Sequence, residues 1–152
     1  MKRFLLSLFA LLLLGCNSTF DSSVPDWPVY LELDLTYEDR DLKAIQAYKL
    51  YTPTTINQAT EKTGFGGVLV YHGLSSTGAT DAYYAFDAAC PVEHQANVRV
   101  EVDDDAVYAI CPRCGSKYEL LNGIGNPVEG PATEGLKQYY VDKQGEKLYI
   151  RY

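Results

Sequence analysis

Two short segments hold three of the four cysteines and one of the two histidines of this chain. The first segment runs from Cys90 to His94, with three residues between the two metal-binding side chains. After sixteen intervening residues, Cys111 and Cys114 form a C-x2-C pair that is followed by a glycine. Such a pair is a favourable chelate, because the turn lets backbone N–H groups point at the sulfurs. Three thiols and a nearby imidazole make a complete set of four metal ligands.

Two kinds of metal centre fit this set. Zinc accepts it as a closed tetrahedral structural site, and an iron–sulfur cluster accepts thiolates on one iron with mixed ligands on the other. The spacing does not choose between them, because zinc ribbons use similar pairs. Without metal, Cys90 and Cys111 would form a structural disulfide, or Cys111 and Cys114 a reversible one. The reversible pair is disfavoured, because such motifs open a helix and here a strand is predicted to follow.

Both segments follow predicted β-strands, at residues 83–87 and 107–110. Loops just past strand ends bring ligand pairs together on rigid supports. Turns rich in Gly, Pro and Asp separate the other predicted strands, which cover residues 68–72, 98–102, 117–121, 136–141 and 147–151. Many short strands separated by such turns predict an all-β sandwich or small barrel.

The N-terminal part of the domain is predicted to contain a strand, a short helix and a loop. The sequence VYLELDL, from Val29 to Leu35, alternates apolar and polar residues and predicts a half-buried strand. The sequence EDRDLKAIQAY favours a short helix with Leu42 and Ile45 inward, and a loop is expected at residues 52–67, which end in the glycines before the next strand. His72 is expected to be a surface or turn residue at the end of a strand.

The first sixteen residues have the pattern of an export signal. Two basic residues precede an apolar run that is shorter than the ~20 residues needed to span a bilayer, and Gly15 and Cys16 follow it. The end of this run, LLGC, is similar to the bacterial lipobox, which implies cleavage before Cys16 and lipidation of its thiol. We expect a lipoprotein signal peptide at residues 1–15, a small and polar tether at 16–28, and one domain at 29–152. The predicted location is the bacterial cell envelope, lipid-anchored and facing the periplasm or the exterior.

The charge of the chain limits its partners. Removal of the signal peptide takes away Lys2 and Arg3, so 13 basic against 20 acidic residues become 11 against 20, and the net charge falls from −7 to −9. An acidic protein repels phosphate backbones, so we expect no nucleic-acid partner. It also repels anionic lipid head groups, so we expect the acyl chains to supply the contact with the membrane.

The second cysteine pair lies in the sequence CPRCGSKY, and the sequence EGPA follows at residues 129–132. With the surrounding strands, these segments resemble the Rieske domain over most of the mature chain, from about Val29 to Tyr152. In that family the ligand loops have the patterns C-x-H and C-x-x-H, the second often as CPCHGSxY/F, and a Gly-Pro-rich third loop covers the cluster. The residues that match the second loop are Cys111, Pro112, Gly115, Ser116 and Tyr118.

The chain departs from the family pattern at both histidines. Val92 stands where the first loop has its histidine, with His94 two residues further on, and Cys114 stands where the second loop has its histidine. The resemblance implies a [2Fe–2S] cluster whose first iron binds Cys90 and Cys111. The second iron would then bind Cys114 and, through a shifted loop, His94.

Two further positions match the family. Ser116 and Tyr118 correspond to residues that hydrogen-bond a bridging sulfide and a cysteine sulfur. Glu93 is a weaker substitute for His94 as the fourth ligand. The resemblance therefore implies that sulfur lies against both hydroxyls.

We expect an all-β, Rieske-like fold: a two-layer antiparallel sandwich with a small loop subdomain that binds the metal. The expected function is that of a membrane-anchored extracytoplasmic iron–sulfur protein, an electron carrier or redox module with a redox partner protein. A carrier is favoured over a catalyst, because the sequence shows no Ser/His/Asp set, no Gly-rich phosphate loop and no convincing carboxylate pair. The alternative is a structural or binding lipoprotein whose site holds zinc, a disulfide or no metal.

Overall fold

The computed structural model describes residues 22–75 and 82–152. The predicted signal peptide, Cys16 and the first part of the predicted tether lie outside the described residues. None of the helices in the described ranges is both long and apolar enough to cross a membrane.

Eleven β-strands and one short 3-10 helix, Arg40–Lys43, form within the described ranges. All strand pairs are antiparallel. The strands are β1 (Val29–Asp34), β2 (Tyr48–Tyr51), β3 (Lys62–Thr63), β4 (Val68–Gly73), β5 (Ala82–Asp87), β6 (Glu101–Val102), β7 (Tyr108–Ile110), β8 (Lys117–Glu119), β9 (Pro127–Glu129), β10 (Gln138–Gln144) and β11 (Lys147–Arg151).

Seven strands form a large sheet in the order β2-β4-β5-β10-β11-β1-β3. Side chains from its two halves pack in one core, in which Leu31 and Leu33 of β1 share a cluster with Val68 and Val70 of β4. Strands that are far apart in the sheet order meet there, so the sheet curves and its halves face each other as two layers.

The other four strands form a small sheet in the order β6-β7-β8-β9. It packs on the opposite face of β4 and β5, where Tyr71 and Phe86 share a second core with Tyr118 of β8. Cys90 and Cys111 belong to this second core. The predicted all-β fold with a small loop subdomain is confirmed.

The alternation in β1 is confirmed, because Val29, Leu31, Leu33 and Leu35 are all buried. The predicted helix forms only its 3-10 turn, which buries Leu42. The inward placement of Ile45 is wrong, since Ile45 is 50% exposed and the chain turns there into the strand β2.

The prediction for His72 is also wrong. His72 is buried within β4, where its ring stacks on Tyr83 and its Nδ1 lies 2.9 Å from the carbonyl oxygen of Leu42. Every residue of β4 is buried, because both faces of this strand meet a core. A polar residue in such a strand is therefore interior.

Residues 22–28, called the N-terminal strap below, pack against the domain. Val24 is 1% exposed, and its carbonyl oxygen accepts a hydrogen bond of 3.0 Å from Lys137 Nζ, which also pairs with Asp26. Trp27 packs edge-on against Phe65, with 5.6 Å between the ring centroids. The last seven residues of the predicted tether thus make fixed contacts with the domain.

The strap predicts a measurable cost for Val24→Ala. Removing two buried methyl groups should lower the free energy of unfolding by about 2 kcal/mol. Urea unfolding followed by circular dichroism measures this change. Val128→Ala is the matched control, because Val128 is 55% exposed and should lose almost nothing. Equal stability of the two variants would contradict the packing of the strap.

Candidate metal centre

The first ligand loop, residues 90–94, begins three residues after the end of β5. The backbone N–H of Cys90 donates to Val98 at 3.0 Å, and the N–H groups of Glu93 and His94 both donate to the carbonyl oxygen of Cys90 at 3.2 Å. These bonds turn the chain tightly after Cys90, and His94 adopts a positive φ of 50°.

Asp87 holds the base of this loop. It is fully buried, and its carboxylate accepts hydrogen bonds from the backbone N–H groups of Phe65, Gly66 and Ala89 at 2.8 to 2.9 Å. The Tyr139 hydroxyl donates to the same carboxylate at 2.6 Å. Asp87 therefore joins the residue before Cys90 to the segment between β3 and β4.

The second ligand loop, residues 111–116, is a compact turn between β7 and β8. The N–H of Cys111 donates to Ser116 at 2.9 Å, and the N–H of Gly115 donates to Cys111 at 3.0 Å. Gly115 has a φ of +73°, which favours glycine over any residue with a side chain. The turn places the sulfurs of Cys111 and Cys114 on the same side.

The third loop, residues 129–132, closes over the second. A Cβ on Gly130 would lie 2.6 Å from the Cα of Ser116, so this approach requires glycine. The backbone N–H of Ala132 donates to the Ser116 hydroxyl at 3.2 Å. The Gly-Pro segment thus packs against Gly115 and Ser116 of the second loop.

The three thiols of these loops converge. The Sγ atoms of Cys90, Cys111 and Cys114 all lie within 4.8 Å of one another, and those of Cys90 and Cys114 are 3.7 Å apart. All three are free cysteines. The Tyr118 hydroxyl lies 3.6 Å from the sulfur of Cys90, and the Ser116 hydroxyl lies 3.1 Å from that of Cys114. Both hydroxyls therefore lie against cysteine sulfur.

His94 is exposed and lies outside this group of converging thiols. Glu93 is largely buried, and its carboxylate pairs with Arg113 of the second loop, with 3.3 Å between Nε and Oε2. This ion pair connects the two ligand loops. The ligand role of His94 stays a prediction.

The environment separates the acidities of the second-loop thiols. Burial raises the pKa of Cys111 to about 11. Burial also raises the pKa of Cys114, but the hydroxyl and N–H of Ser116 and the neighbouring thiols outweigh it and hold that pKa below its ordinary value. Burial and the adjacent Cys90 raise the pKa of Tyr118 far above its usual range, so this hydroxyl keeps its proton as a donor to sulfur.

These shifts predict the order of alkylation in the metal-free protein. At pH ~8, Cys114 should react with iodoacetamide at least about tenfold faster than Cys111, because only the thiolate form of a cysteine attacks the reagent. Trypsin cleaves after Arg113, so separate peptides carry the two cysteines and mass spectrometry can follow each rate. Unfolding in urea should equalise the rates. Faster reaction of Cys111 in the folded protein would contradict the assigned shifts.

The donor set fits a thiolate-bound metal. A tetrahedral ion with metal–sulfur bonds of about 2.3 Å separates its sulfurs by about 3.8 Å. The distance of 3.7 Å between the sulfurs of Cys90 and Cys114 matches that edge. Three cysteines leave one position of a tetrahedron for a fourth ligand.

No protein-family model and no curated protein matches the chain. Among solved structures, the chain is similar to the cyanobacterial plasma membrane Rieske protein PetC3 from Synechocystis PCC 6803. That match has 20% identity and a TM-score of 0.46, and covers 67% of this chain and 82% of the other.

A second similar structure belongs to the complex of reduced oxygenase and oxidized ferredoxin in carbazole 1,9a-dioxygenase. It has 16% identity and a TM-score of 0.48, and the match covers 79% of this chain and 99% of the other. The solved structures to which the chain is similar include a Rieske protein, in agreement with the predicted resemblance. At these identities the likeness does not extend to the site, which we assign from this chain's own residues.

Three features of the site have no clear signal in the sequence. Three of the four donors to Asp87, those of Phe65, Gly66 and Tyr139, come from distant parts of the chain. The Glu93–Arg113 pair and the bond from Ala132 to Ser116 also join separate loops. The sequence gives one weak signal for the ion pair. Glu93 and Arg113 have opposite charges, and each directly precedes the second candidate ligand of its loop.

Proposed function

We propose that this chain is a membrane-anchored, extracytoplasmic Rieske-type iron–sulfur protein that transfers electrons. The observation that carries the proposal is the convergence of three free thiols within 4.8 Å, with the Ser116 and Tyr118 hydroxyls against their sulfurs. Cys90, Cys111 and Cys114 would hold a [2Fe–2S] cluster, with His94 as the candidate fourth ligand. Hydroxyl donors to sulfur spread its charge and raise the reduction potential.

The exposure of the thiols suits a carrier that passes electrons to a partner protein. Cys90 and Cys111 are buried, while Cys114 is partly exposed in the second loop. A buried cluster with one ligand near the surface is shielded from water but remains within reach of a docked redox partner.

A second candidate is a single tetrahedral metal ion, zinc above all. The specific observation that favours it is the 3.7 Å separation of the sulfurs of Cys90 and Cys114, which suits two ligands of one ion. In a two-iron cluster with Cys114 on the second iron, the bridging sulfides would place these sulfurs farther apart. The protein would then have a structural metal site and no role in electron transfer.

Metal and sulfide analysis separates the two candidates. The protein should be purified anaerobically and assayed for iron, zinc and acid-labile sulfide, with absorbance before and after dithionite. The proposal expects about two irons and two sulfides per chain and a red-brown colour that bleaches on reduction. One zinc without sulfide would establish the second candidate, and a protein without metal would refute both.

The anchor has its own test. Cys16→Ser should release the protein from the membrane fraction, because the thiol that receives the lipid is gone and acyl chains supply about 0.8 kcal/mol of membrane affinity per buried CH₂. Centrifugation after a carbonate wash measures the bound fraction. Cys114→Ser, which leaves the signal unchanged, should stay in the membrane. Retention of the Cys16 variant would show that lipid does not hold the chain.

A further inference from the structure

The sulfurs of Cys90 and Cys114 are in contact across the two ligand loops. They lie 3.7 Å apart, and both residues are free thiols in this structure. A disulfide bond requires about 2.05 Å between its sulfurs, so these two need to approach by less than about 2 Å to bond. The two loops therefore already hold one pair of thiols close to bonding distance.

Two further contacts hold the loops that carry these sulfurs. Glu93 of the first loop pairs with Arg113 of the second, with 3.3 Å between Oε2 and Nε, and Arg113 directly precedes Cys114. Within the second loop, the backbone N–H of Gly115 donates to the carbonyl oxygen of Cys111 at 3.0 Å. The contact between the sulfurs is therefore a consequence of how the two loops pack together.

Exposure decides which thiol an oxidant reaches first. Cys90 and Cys111 are 0% and 1% exposed, whereas Cys114 is partly exposed. Thiol–disulfide exchange begins when an accessible thiolate attacks the oxidant, so the first bond must form at Cys114. The disulfide between Cys90 and Cys111 that the sequence leaves open therefore has no starting step. Contact with Cys114 then favours Cys90 as its partner.

We propose that the metal-free chain closes a disulfide between Cys90 and Cys114, and that this bond is a redox gate on metal uptake. The bond consumes two of the three converging ligands, and a metal ion binds cysteine only as the thiolate. Cys111 stays a buried thiol. The pairing depends on the loop geometry alone, whereas its use in the cell rests on the extracytoplasmic location of the proposed function, where disulfides persist.

The oxidant in this reaction is a disulfide, either of a small molecule or of a protein. The Cys114 thiolate attacks one sulfur of the oxidant, forms a mixed disulfide with it and releases the first thiolate of the oxidant. The Cys90 thiolate then attacks the Cys114 sulfur, forms the bond between the loops and releases the second thiolate. The two thiol protons pass to the released thiolates, and the oxidant takes up two electrons. A dithiol reverses both steps and reopens the site.

Peptide mapping identifies the pair directly. Trypsin cleaves after Lys62, Arg99, Arg113 and Lys117, so the three cysteines lie in separate peptides, 63–99, 100–113 and 114–117. The full chain should be stripped of metal under reducing conditions, exposed to glutathione disulfide, blocked with iodoacetamide and digested without reductant. The expected product joins peptides 63–99 and 114–117 and is at least about tenfold more abundant than either other pair. A dominant link to peptide 100–113, or no link within the chain, would overturn the inference.

Two variants test the order of attack. Cys111→Ala should still form the link, because it keeps both thiols of the proposed pair. Cys114→Ala should keep Cys90 and Cys111 as thiols, because both are buried. A link between Cys90 and Cys111 in the second variant would contradict the order of attack. The map of the unchanged chain decides the pairing if either variant does not fold.

Equilibrium dialysis against Zn²⁺ tests the gate. The oxidised chain should bind at most about a tenth of the Zn²⁺ that the reduced chain binds, and a phosphine reductant should restore binding. Equal binding by the two forms, including none by either, would overturn the gate. Iron and sulfide content of the protein as isolated decides the proposed function separately. A chain with a cluster but another cysteine pair refutes this inference alone, and a chain with the expected pair but no iron refutes the proposed function alone.

Discussion

Replacing Asp87 with alanine should lower the free energy of unfolding by about 4 kcal/mol, because it leaves several buried donors without an acceptor. Three backbone N–H groups and the Tyr139 hydroxyl all donate to this fully buried carboxylate. The backbone donors cannot turn to new partners without moving the loops that contain them. Since a domain of this size is stable by only about 5–15 kcal/mol, this is a large fraction of the total.

The effect should extend to the metal site. Ala89 directly precedes Cys90, and its backbone N–H donates to Asp87. The variant therefore loses the hydrogen bond that holds the start of the first ligand loop. Urea unfolding measures the loss of stability, and metal content per folded chain measures the loss at the site. Both should fall together in Asp87→Ala.

Two further variants make the test specific. Asp87→Asn keeps one oxygen acceptor but turns an NH₂ group towards backbone donors, so it should cost about half as much, roughly 2 kcal/mol. Asp142→Ala removes an aspartate that is half-exposed and pairs with Arg151, so it should change stability by less than about 0.5 kcal/mol. If the Asp87→Ala variant were as stable as the Asp142→Ala variant, the buried carboxylate of Asp87 would have no role in stabilising the fold.

The part of the fold that local patterns encode could be predicted from the sequence. The alternation from Val29 to Leu35 identifies β1, because one face of a strand packs in a core and the other meets water. Three strands escaped prediction because pairing creates them, and one of these is the two-residue strand β3, which forms along β1. The edge strand β2 forms along β4, and the edge strand β9 begins at Pro127 in a segment whose residues favour turns.

The candidate site likewise has a part that local sequence patterns predict and a part that they do not. Cysteine type and spacing predict the three thiols that converge, since ligand loops at strand ends are a local feature. The exposure of His94 depends on two backbone bonds to Cys90, which no pattern of side chains reveals. Asp87 looks like an ordinary polar residue at a strand end, because its partners lie about twenty residues earlier and fifty later in the chain.

Cys114→Ser should remove most of the bound metal while the β-fold survives. A serine hydroxyl is a poor ligand for zinc or for an iron–sulfur cluster, and the two remaining cysteines cannot complete a tetrahedral site. The fold should persist because the cores of both sheets are built from apolar side chains, with Tyr118 and Phe86 packed beside the cysteines. Metal content and far-ultraviolet circular dichroism measure the two outcomes separately.

Cys114→His is the matched control, because it supplies a ligand at the position where the Rieske family has its second-loop histidine. It should keep metal where the serine variant loses it. If the centre is a [2Fe–2S] cluster, exchange of a thiolate for a neutral imidazole removes negative charge, so the centre should accept an electron more readily. Its potential should then move from an intermediate value towards the range of roughly −150 to +300 mV that two-histidine centres have, away from about −400 mV for all-thiolate clusters. Protein-film voltammetry measures the direction of this shift. Full metal retention in Cys114→Ser would remove Cys114 from the ligand set, and a lower potential in Cys114→His would exclude the exchange of a thiolate for an imidazole at the cluster.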